Sequence, residues 1–419
     1  MSGPARPWSA QRAEAYLRSL ELFGMRFGLD RMHRLMTAMG APQRRFASIH
    51  VVGTNGKSST VRMIAAILER HGLRTGAYLS PHLAGFNERV RVDERDLDEA
   101  AFARAVERAA HAAALVNRTL AEDDRVTQFE ALTAAAYGEL AAREVDVAVI
   151  EAGLGGRYDA TNVIPSRVQV LTNVGLEHTR WLGPTITDIA REKLAVVRDG
   201  GTLVVGALAP EAETEASAAA AEHGARFVHA PRDAGVRLAA EGAFQRPNFA
   251  VARAAAEAFL GEVDDAAVAR AAAEVTIPGR FERVGSGPLM IVDGAHNPSG
   301  VAALVASLPE VSGAGALVAV VSILDDKDAA AMLRELLPVT TRLVATRSAN
   351  PRALSPGTLE SLARQLGAGD VVTAGDPHAA LAQARALAGA EGGVVLATGS
   401  IYLVADLLRA PGAPRGATL

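Results

Sequence analysis

Lys57 follows Gly53-Thr54-Asn55-Gly56 and precedes two hydroxyl residues, Ser58 and Ser59, a set able to cradle phosphate. Glycines let backbone N–H groups approach phosphate oxygens, the N-terminus of a following helix adds partial positive charge, a lysine supplies a point charge, and a hydroxyl can hold Mg²⁺. The run departs from G-x-x-x-x-G-K-[ST]: position 51 is Val and the leading glycine falls at Gly53, which implies a shortened loop. An ordinary turn with a capping serine is the competing reading. Context favours the cradle, because Ala47 to Val52 reads as a strand while Val61, Ile64, Ala65, Ile67 and Leu68 recur at helical spacing.

Other chemistry-bearing residues follow strand-like runs. Glu151 closes the apolar run Val145 to Ile150, and in open α/β sheets ligands sit at the carboxyl ends of strands. A carboxylate there, beside a phosphate loop, is a natural Mg²⁺ ligand; a surface turn glutamate is the alternative. His178 follows Val168 to Val174 and alone reads more often as structural than as functional; its company changes that. Ile186, Ile189, Ala190 and Val197 lie at −7, −4, −3 and +4 from Lys193, which puts this lysine on the apolar face of its helix. Such a lysine needs a partner or a lowered pKa, and a neutral amine can add CO₂ to give an anionic carbamate able to serve a magnesium site. In Asp293-Gly-Ala-His296-Asn-Pro298, the acid could meet a ribose hydroxyl or metal and the histidine could meet phosphates. Helix capping and a hydrogen-bonded turn are the structural alternatives, but the pair in one turn favours a site.

Positioning these groups requires alternating strands and helices. Strands are expected at 46–52, 75–79, 145–151, 168–173 and 201–205, then near 289–293, 316–321, 341–345, 370–373 and 393–397. Helical periodicity covers residues 12 to 38, and in the second series 299–308, 328–337, 356–366 and 377–389. Alanine-rich stretches such as 100–114 and 250–258 read as packed helices rather than disorder. This is an α/β protein: a mostly parallel sheet domain carrying the P-loop, expected over residues 1–277 with its linker, then a smaller Rossmann-like α/β domain over 278–419.

Composition narrows the function classes. The chain has 419 residues, no cysteine and a formal net charge of −4, which excludes disulfides, zinc thiolate sites and cysteine nucleophiles and gives no reason to expect nucleic acid. Met1 to Tyr16 is polar and lacks a secretory apolar core, and no run approaches the ~20 apolar residues of a membrane span, so a cytoplasmic location without membrane partners is expected.

Taken together the motifs resemble one family, the folylpolyglutamate synthase and dihydrofolate synthase group of Mur-ligase-like ATP-dependent amide ligases. The matching segments include Gly53 to Lys57, Ser80-Pro-His-Leu83 with Phe86 to Val90, Glu151 to Arg157 with Asp159 to Asn162, Gly175 to Thr179, Ile189 to Lys193, Pro278 to Phe281, Asp293 to Pro298 and Gly399 to Leu403. The resemblance implies that ATP phosphates are bound by the Gly53 to Ser59 loop, chiefly Lys57 and Ser59, and that Ser59, Ser80 and Glu151 bind Mg²⁺. It implies a second Mg²⁺ organised by Glu151, His178 and carbamylated Lys193, with Gln245 and Asn248 near adenine and Arg280, Asp293 and His296 reaching the nucleotide. Arg89 and Ser400 are supporting substrate residues under the same resemblance, and the active site would lie between domains. The implied substrates are ATP, L-glutamate and a dihydropteroate or reduced folate, handled by a monomer.

Three residues depart from the family pattern: Ser58 for the usual glycine, Glu177 for aspartate, and Gln128 in the usual Phe-Phe-Glu, the last expected to border the pterin pocket. Ser58 also suggests a Mur-type ligase for another carboxylate as the alternative activity. An ATP-binding switch is the non-enzymatic alternative, and it leaves Arg280, Asp293 and His296 without a purpose.

Overall fold

The computed structural model describes residues 6–20, 28–285, 287–310 and 315–410. The chain forms two compact units: residues 1–82, 86–237 and 247–275 make unit 1, and residues 83–85, 238–246 and 276–419 make unit 2. Neither unit is one uninterrupted stretch, a feature that composition and periodicity do not carry.

Unit 1 holds an eight-stranded sheet. Its strands are β1 (Ala47–Val52), β2 (Thr75–Tyr78), β3 (Val90–Val92), β4 (Arg95–Asp96), β5 (Val147–Glu151), β6 (Val168–Leu171), β7 (Thr202–Val205) and β8 (Arg226–His229), in the order β4-β3-β2-β5-β1-β6-β7-β8. Only the β2–β3 and β3–β4 pairs are antiparallel. β1 lies at the centre between β5 and β6, so the loops that follow these three strands emerge side by side. Val52, Leu171, Leu203 and Val205 bury one face of this sheet against Ala190, Leu194, Ala212 and Ala216 of flanking helices.

Unit 2 holds a six-stranded sheet. Its strands are β9 (Glu282–Val284), β10 (Met290–Val292), β11 (Leu317–Val321), β12 (Arg342–Ala345), β13 (Val371–Thr373) and β14 (Val394–Thr398), ordered β13-β12-β11-β14-β10-β9 with only β9 antiparallel. Alternate residues enter opposite cores: Leu317, Ala319 and Val321 one, Val318 and Val320 the other. Two-sided burial is why these strands read as continuous apolar runs.

β3, β4, β8 and β9 were not expected from the sequence. β4 has two exposed residues, and β8 is an edge strand whose outer residues face solvent, so neither carries a long apolar run. The expected helix over 12–38 is found as Ala10–Ser19 and Asp30–Ala38; the part over 21–27 lies outside the described residues.

Candidate active site

β1 ends at Val52 and the Lys57–Arg70 helix begins four residues after Gly53, with Gly56 at its N-cap in the left-handed region (φ 81°). Gly53 is required by contact as well as conformation, because its φ is +152° and a Cβ would overlap the Thr172 hydroxyl. The loop is stapled to the segment after β6: Thr172 Oγ1 donates to the Asn55 carbonyl at 2.7 Å, the Asn55 N–H donates to Asn173 Oδ1 at 2.9 Å, and the Thr54 N–H donates to the Asn173 carbonyl at 3.0 Å. Thr172 and Asn173 escaped sequence reasoning; their signal was their position, immediately after a strand that adjoins β1. Asn248 lies against Gly56, while Gln245 is buried in unit 2.

Glu151 pairs in register with Val51, which brings its carboxylate beside the phosphate loop. It is 1% exposed. Ser58 Oγ donates to Glu151 Oε1 at 2.9 Å and the Ser80 N–H donates to Oε2 at 3.2 Å. Thus the hydroxyl bonded to Glu151 belongs to Ser58, whereas Ser59, expected from the resemblance to serve phosphate and metal, is buried within the helix and makes no such bond. Among the described residues no three His, Asp or Glu side chains group as metal ligands. A Mg²⁺ that keeps several waters and binds through one carboxylate, hydroxyls and nucleotide phosphates fits the oxygen donors of Glu151, Ser58 and Ser80. Ser58→Ala removes a hydrogen bond to a charged group; we expect the Mg²⁺ concentration for half-maximal nucleotide binding to rise several-fold, measurable by titrating Mg²⁺ against a fluorescent ADP analogue.

Two lysines converge on one carbonyl. Lys57 Nζ donates to the carbonyls of Gly53 at 3.0 Å and Thr54 at 3.1 Å, and Lys193 Nζ donates to the same Gly53 carbonyl at 2.8 Å. Lys193 projects from the Ile186–Leu194 helix, which ends before Val197, and is 4% exposed. Burial, and then the charge of Lys57, push its pKa down to about 7, against the opposing pull of Glu177, Asp159 and Glu192. An amine poised there is partly neutral at physiological pH, the form that reacts with CO₂.

The loop after β5 is clamped between Lys193 and a buried polar cluster. A Cβ on Gly156 would lie 2.6 Å from the Lys193 carbonyl, and the Arg157 N–H donates to the Glu192 carbonyl at 3.0 Å. Asp159 is buried, accepts from the Leu154 N–H at 2.8 Å and bonds the Thr161 hydroxyl, while His50 Nε2 lies 2.8 Å from that same hydroxyl. Burial pushes the Asp159 pKa up and lowers that of His50 to about 3, so the imidazole is neutral. His178 adopts φ 52° ahead of a short helix, with Nε2 3.7 Å from Glu177. Gln128 is buried and donates to the Leu17 carbonyl at 2.8 Å, tying its helix to Ala10–Ser19. Arg89 Nε donates to His82 Nδ1 at 2.9 Å and its guanidinium lies 5.3 Å from the Phe86 ring centre.

In unit 2, Asp293 follows β10 and is 3% exposed. Its carboxylate accepts from the Phe281 N–H at 2.8 Å and the Ala295 N–H at 2.7 Å, and burial raises its pKa. The next helix, Pro298–Ser307, is capped by Asn297, so Asp293 is not its cap but a clamp on the Arg280-Phe281 turn. Arg280 donates to the Gly279 carbonyl at 3.1 Å. His296 Nδ1 lies 2.9 Å from the Gly294 carbonyl, which can only accept, so Nδ1 carries the proton. Ser400 caps the Ile401–Leu408 helix, accepting from the Tyr402 N–H at 3.1 Å.

Both parts of the chain match known domains. Residues 51–241 match the Mur ligase middle domain and residues 279–401 the Mur ligase glutamate ligase domain. The dihydrofolate synthase/folylpolyglutamate synthase of Mycobacterium tuberculosis is 35% identical over 379 residues, covering 81% of this chain and 77% of that protein. This chain belongs to the dihydrofolate synthase/folylpolyglutamate synthase family. The folylpolyglutamate synthase of Lacticaseibacillus casei is 34% identical, over 83% of this chain and 88% of its own. A structure of the M. tuberculosis folylpolyglutamate synthase complexed with ADP superposes with a TM-score of 0.89 at 31% identity, covering 96% of this chain and 99% of that one. The chain is a ligase of this family, built on its two-sheet α/β fold. No helix among the described residues is long and apolar enough to cross a membrane.

Proposed function

We propose that this ligase joins L-glutamate to the carboxylate of a dihydropteroate or of a reduced folate, using ATP, and that it performs both ligations. The observation that carries this reading is Glu151 at the end of β5, bonded by Ser58 and Ser80 beside a phosphate loop. A carboxylate is a poor acyl donor. Attack of its oxygen on the γ-phosphorus of ATP releases ADP and leaves an acyl phosphate; the glutamate amine then attacks the acyl carbon, phosphate departs, and the ammonium proton passes to solvent. Such phosphoryl transfer needs positioning and charge neutralisation more than covalent participation. Lys57 and the helix N-terminus supply both to the phosphates, and a magnesium ion held by Glu151, Ser58 and Ser80 would neutralise charge on the transferred group. A second magnesium served by Glu151, His178 and a carbamate on Lys193 belongs to the same proposal, as do nucleotide roles for Asn248, Arg280, Asp293 and His296 and substrate roles for Arg89 and Ser400. So does a cytoplasmic, monomeric enzyme with small-molecule partners.

The test supplies ATP, Mg²⁺ and glutamate with either dihydropteroate or a reduced folate monoglutamate. ADP release and a glutamylated product with both acceptors is expected; no release with either defeats the reading. Turnover with a UDP-muramoyl acceptor and none with a pterin would instead favour a Mur-type ligase.

A further inference from the structure

We propose that Thr161 is a positioning residue for ligation: backed by His50 and acting through Asp159, it holds the glycine-rich loop that leaves Glu151 and lies against Lys193; the proposal rests on the ligase reading above. After β5 the chain reads Ala152-Gly153-Leu154-Gly155-Gly156, with little side chain to pack. A Cβ on Gly153 would lie 2.7 Å from the Phe129 ring and one on Gly156 2.6 Å from the Lys193 carbonyl, so the backbone itself is pressed between the Gln128–Ala142 and Ile186–Leu194 helices. A run so rich in glycine keeps one shape only where other groups fix it. Asp159 does so: its Oδ2 accepts from the Leu154 N–H at 2.8 Å, its Oδ1 accepts from the Thr161 N–H at 3.0 Å and from the Thr161 hydroxyl, and the Gly153 N–H bonds the same carboxyl.

The direction of these bonds follows from counting protons. Thr161 Oγ1 has one, and the Asp159 carboxylate accepts it. His50 Nε2, 2.8 Å from the same oxygen, must therefore donate, which fixes the imidazole as the Nε2–H tautomer. In the reverse order, with an acid donating to Thr161 and Thr161 to His50, Nδ1 would carry the proton. Nδ1 is buried without a hydrogen-bond partner, and a buried unpaired N–H is tolerated less than an unpaired acceptor. The Tyr137 hydroxyl donates to the Thr161 carbonyl at 3.0 Å, so the N–H, the hydroxyl and the carbonyl of Thr161 are all engaged. Thr161 and His50 are both 0% exposed and act only through their neighbours.

Stability alone does not account for this histidine. It sits on β1 between Ile49 and Val51, which are equally buried, and its unpaired Nδ1 costs more there than an apolar side chain would. What His50 supplies is a link. The hydrogen bonds run from the strand that leads into the phosphate loop, through Thr161 and Asp159, to the loop behind Glu151. That loop in turn rests on the end of the Ile186–Leu194 helix, where the Arg157 N–H donates to the Glu192 carbonyl at 3.0 Å. A shift of the loop displaces Glu151 and Lys193 together, and a misplacement of ~1 Å in a reacting constellation can cost ~10² in rate.

The experiment compares full-length wild type with Thr161→Val, Thr161→Ser and the double variant His50→Leu with Thr161→Val, reading steady-state kinetics, Tm and hydrogen exchange of the loop amides by mass spectrometry. Thr161→Val should lower kcat about tenfold while KM for ATP stays within about twofold, because the phosphate loop is untouched. Thr161→Ser keeps the hydroxyl and should stay within about threefold of wild type in kcat. In the double variant both partners become apolar, so the Tm lost in Thr161→Val should largely return, yet kcat should remain low. Exchange at Gly153 to Arg157 should quicken several-fold in both valine variants and not in Thr161→Ser. Activity that recovers together with Tm in the double variant marks a structural role alone and overturns the proposal, as does unchanged exchange in the valine variants whatever the kinetics. A wild type that releases no ADP with either pterin acceptor, while exchange responds as expected, defeats the ligase reading instead.

Discussion

Lys193→Met is expected to lower ligation by about 10³-fold while leaving the protein at least as stable as wild type at pH 7. The loss follows from removing a group that faces the phosphate loop, where single electrostatic contacts are worth ~10²–10³ in rate, and a carbamate serving a metal would add to that. Stability should move the other way. The folded-state pKa stands at about 7 against 10.5 for an ordinary lysine, first because of burial and then because of Lys57. Below pH 7 the amine is charged in both the folded and unfolded chain, and the full cost of burying that charge is present. Between about 7 and 10.5 the unfolded chain holds a proton that the folded chain has released, so wild-type stability rises with pH. Methionine fills the same space without the charge. The Tm advantage of Lys193→Met should therefore be largest at or below pH 7 and shrink as pH rises, which differential scanning fluorimetry across pH 6 to 9.5 reads directly. Partial rescue of Lys193→Ala by acetate would support the carbamate. Wild-type activity in either variant would refute any role for this side chain.

The same lysine illustrates what a sequence can disclose. Its place on an apolar helical face was readable because burial leaves a periodic trace, and Glu151 was readable because it ends a strand whose interior is uniformly apolar. The Ile186–Leu194 helix stops short of Val197, yet Val197 is buried, so the register extended beyond the helix that it implied. What escaped depends on strands far apart in the chain. Thr172 and Asn173 staple the phosphate loop only because β6 pairs with β1, and His50 reaches Thr161 across 111 residues of sequence. Ser58 is the sharper lesson. The resemblance assigns Ser59 to phosphate and metal and says nothing of a bond from Ser58, yet the first turn of the Lys57–Arg70 helix turns the Ser58 hydroxyl toward Glu151. The short edge strands were illegible for a different reason: half-exposed segments of two to four residues lack enough apolar positions to show a period.

Glu151→Gln should cost ligation about 10²–10³-fold and should do so through magnesium. The wild-type carboxylate accepts from Ser58 Oγ on one oxygen and from the Ser80 N–H on the other, which draws the Lys57–Arg70 helix and the Ser80 turn onto one group at the strand end. An amide of the same size offers one acceptor oxygen and two N–H donors. With its oxygen toward the Ser80 N–H, the amide needs the Ser58 hydroxyl to rotate and accept from it; turned the other way, it sets an N–H donor against the Ser80 N–H in a site that is 1% exposed, and a hydrogen bond lost in such a place costs about 1–3 kcal/mol. It also removes the negative charge that would hold the cation. The two effects separate in a binding experiment. Without Mg²⁺, ADP affinity depends on Lys57, the loop N–H groups and the helix N-terminus, all intact, so Glu151→Gln should bind within about threefold of wild type. With Mg²⁺, wild type should gain affinity and the variant should not. Lys57→Ala is the complementary case: it should weaken ADP with or without Mg²⁺, because its charge acts on phosphate directly. A Glu151→Gln protein that retained the full Mg²⁺ enhancement would move the cation site away from β5, and the contact between Ser58 and Glu151 would then be an anchor for the helix start alone.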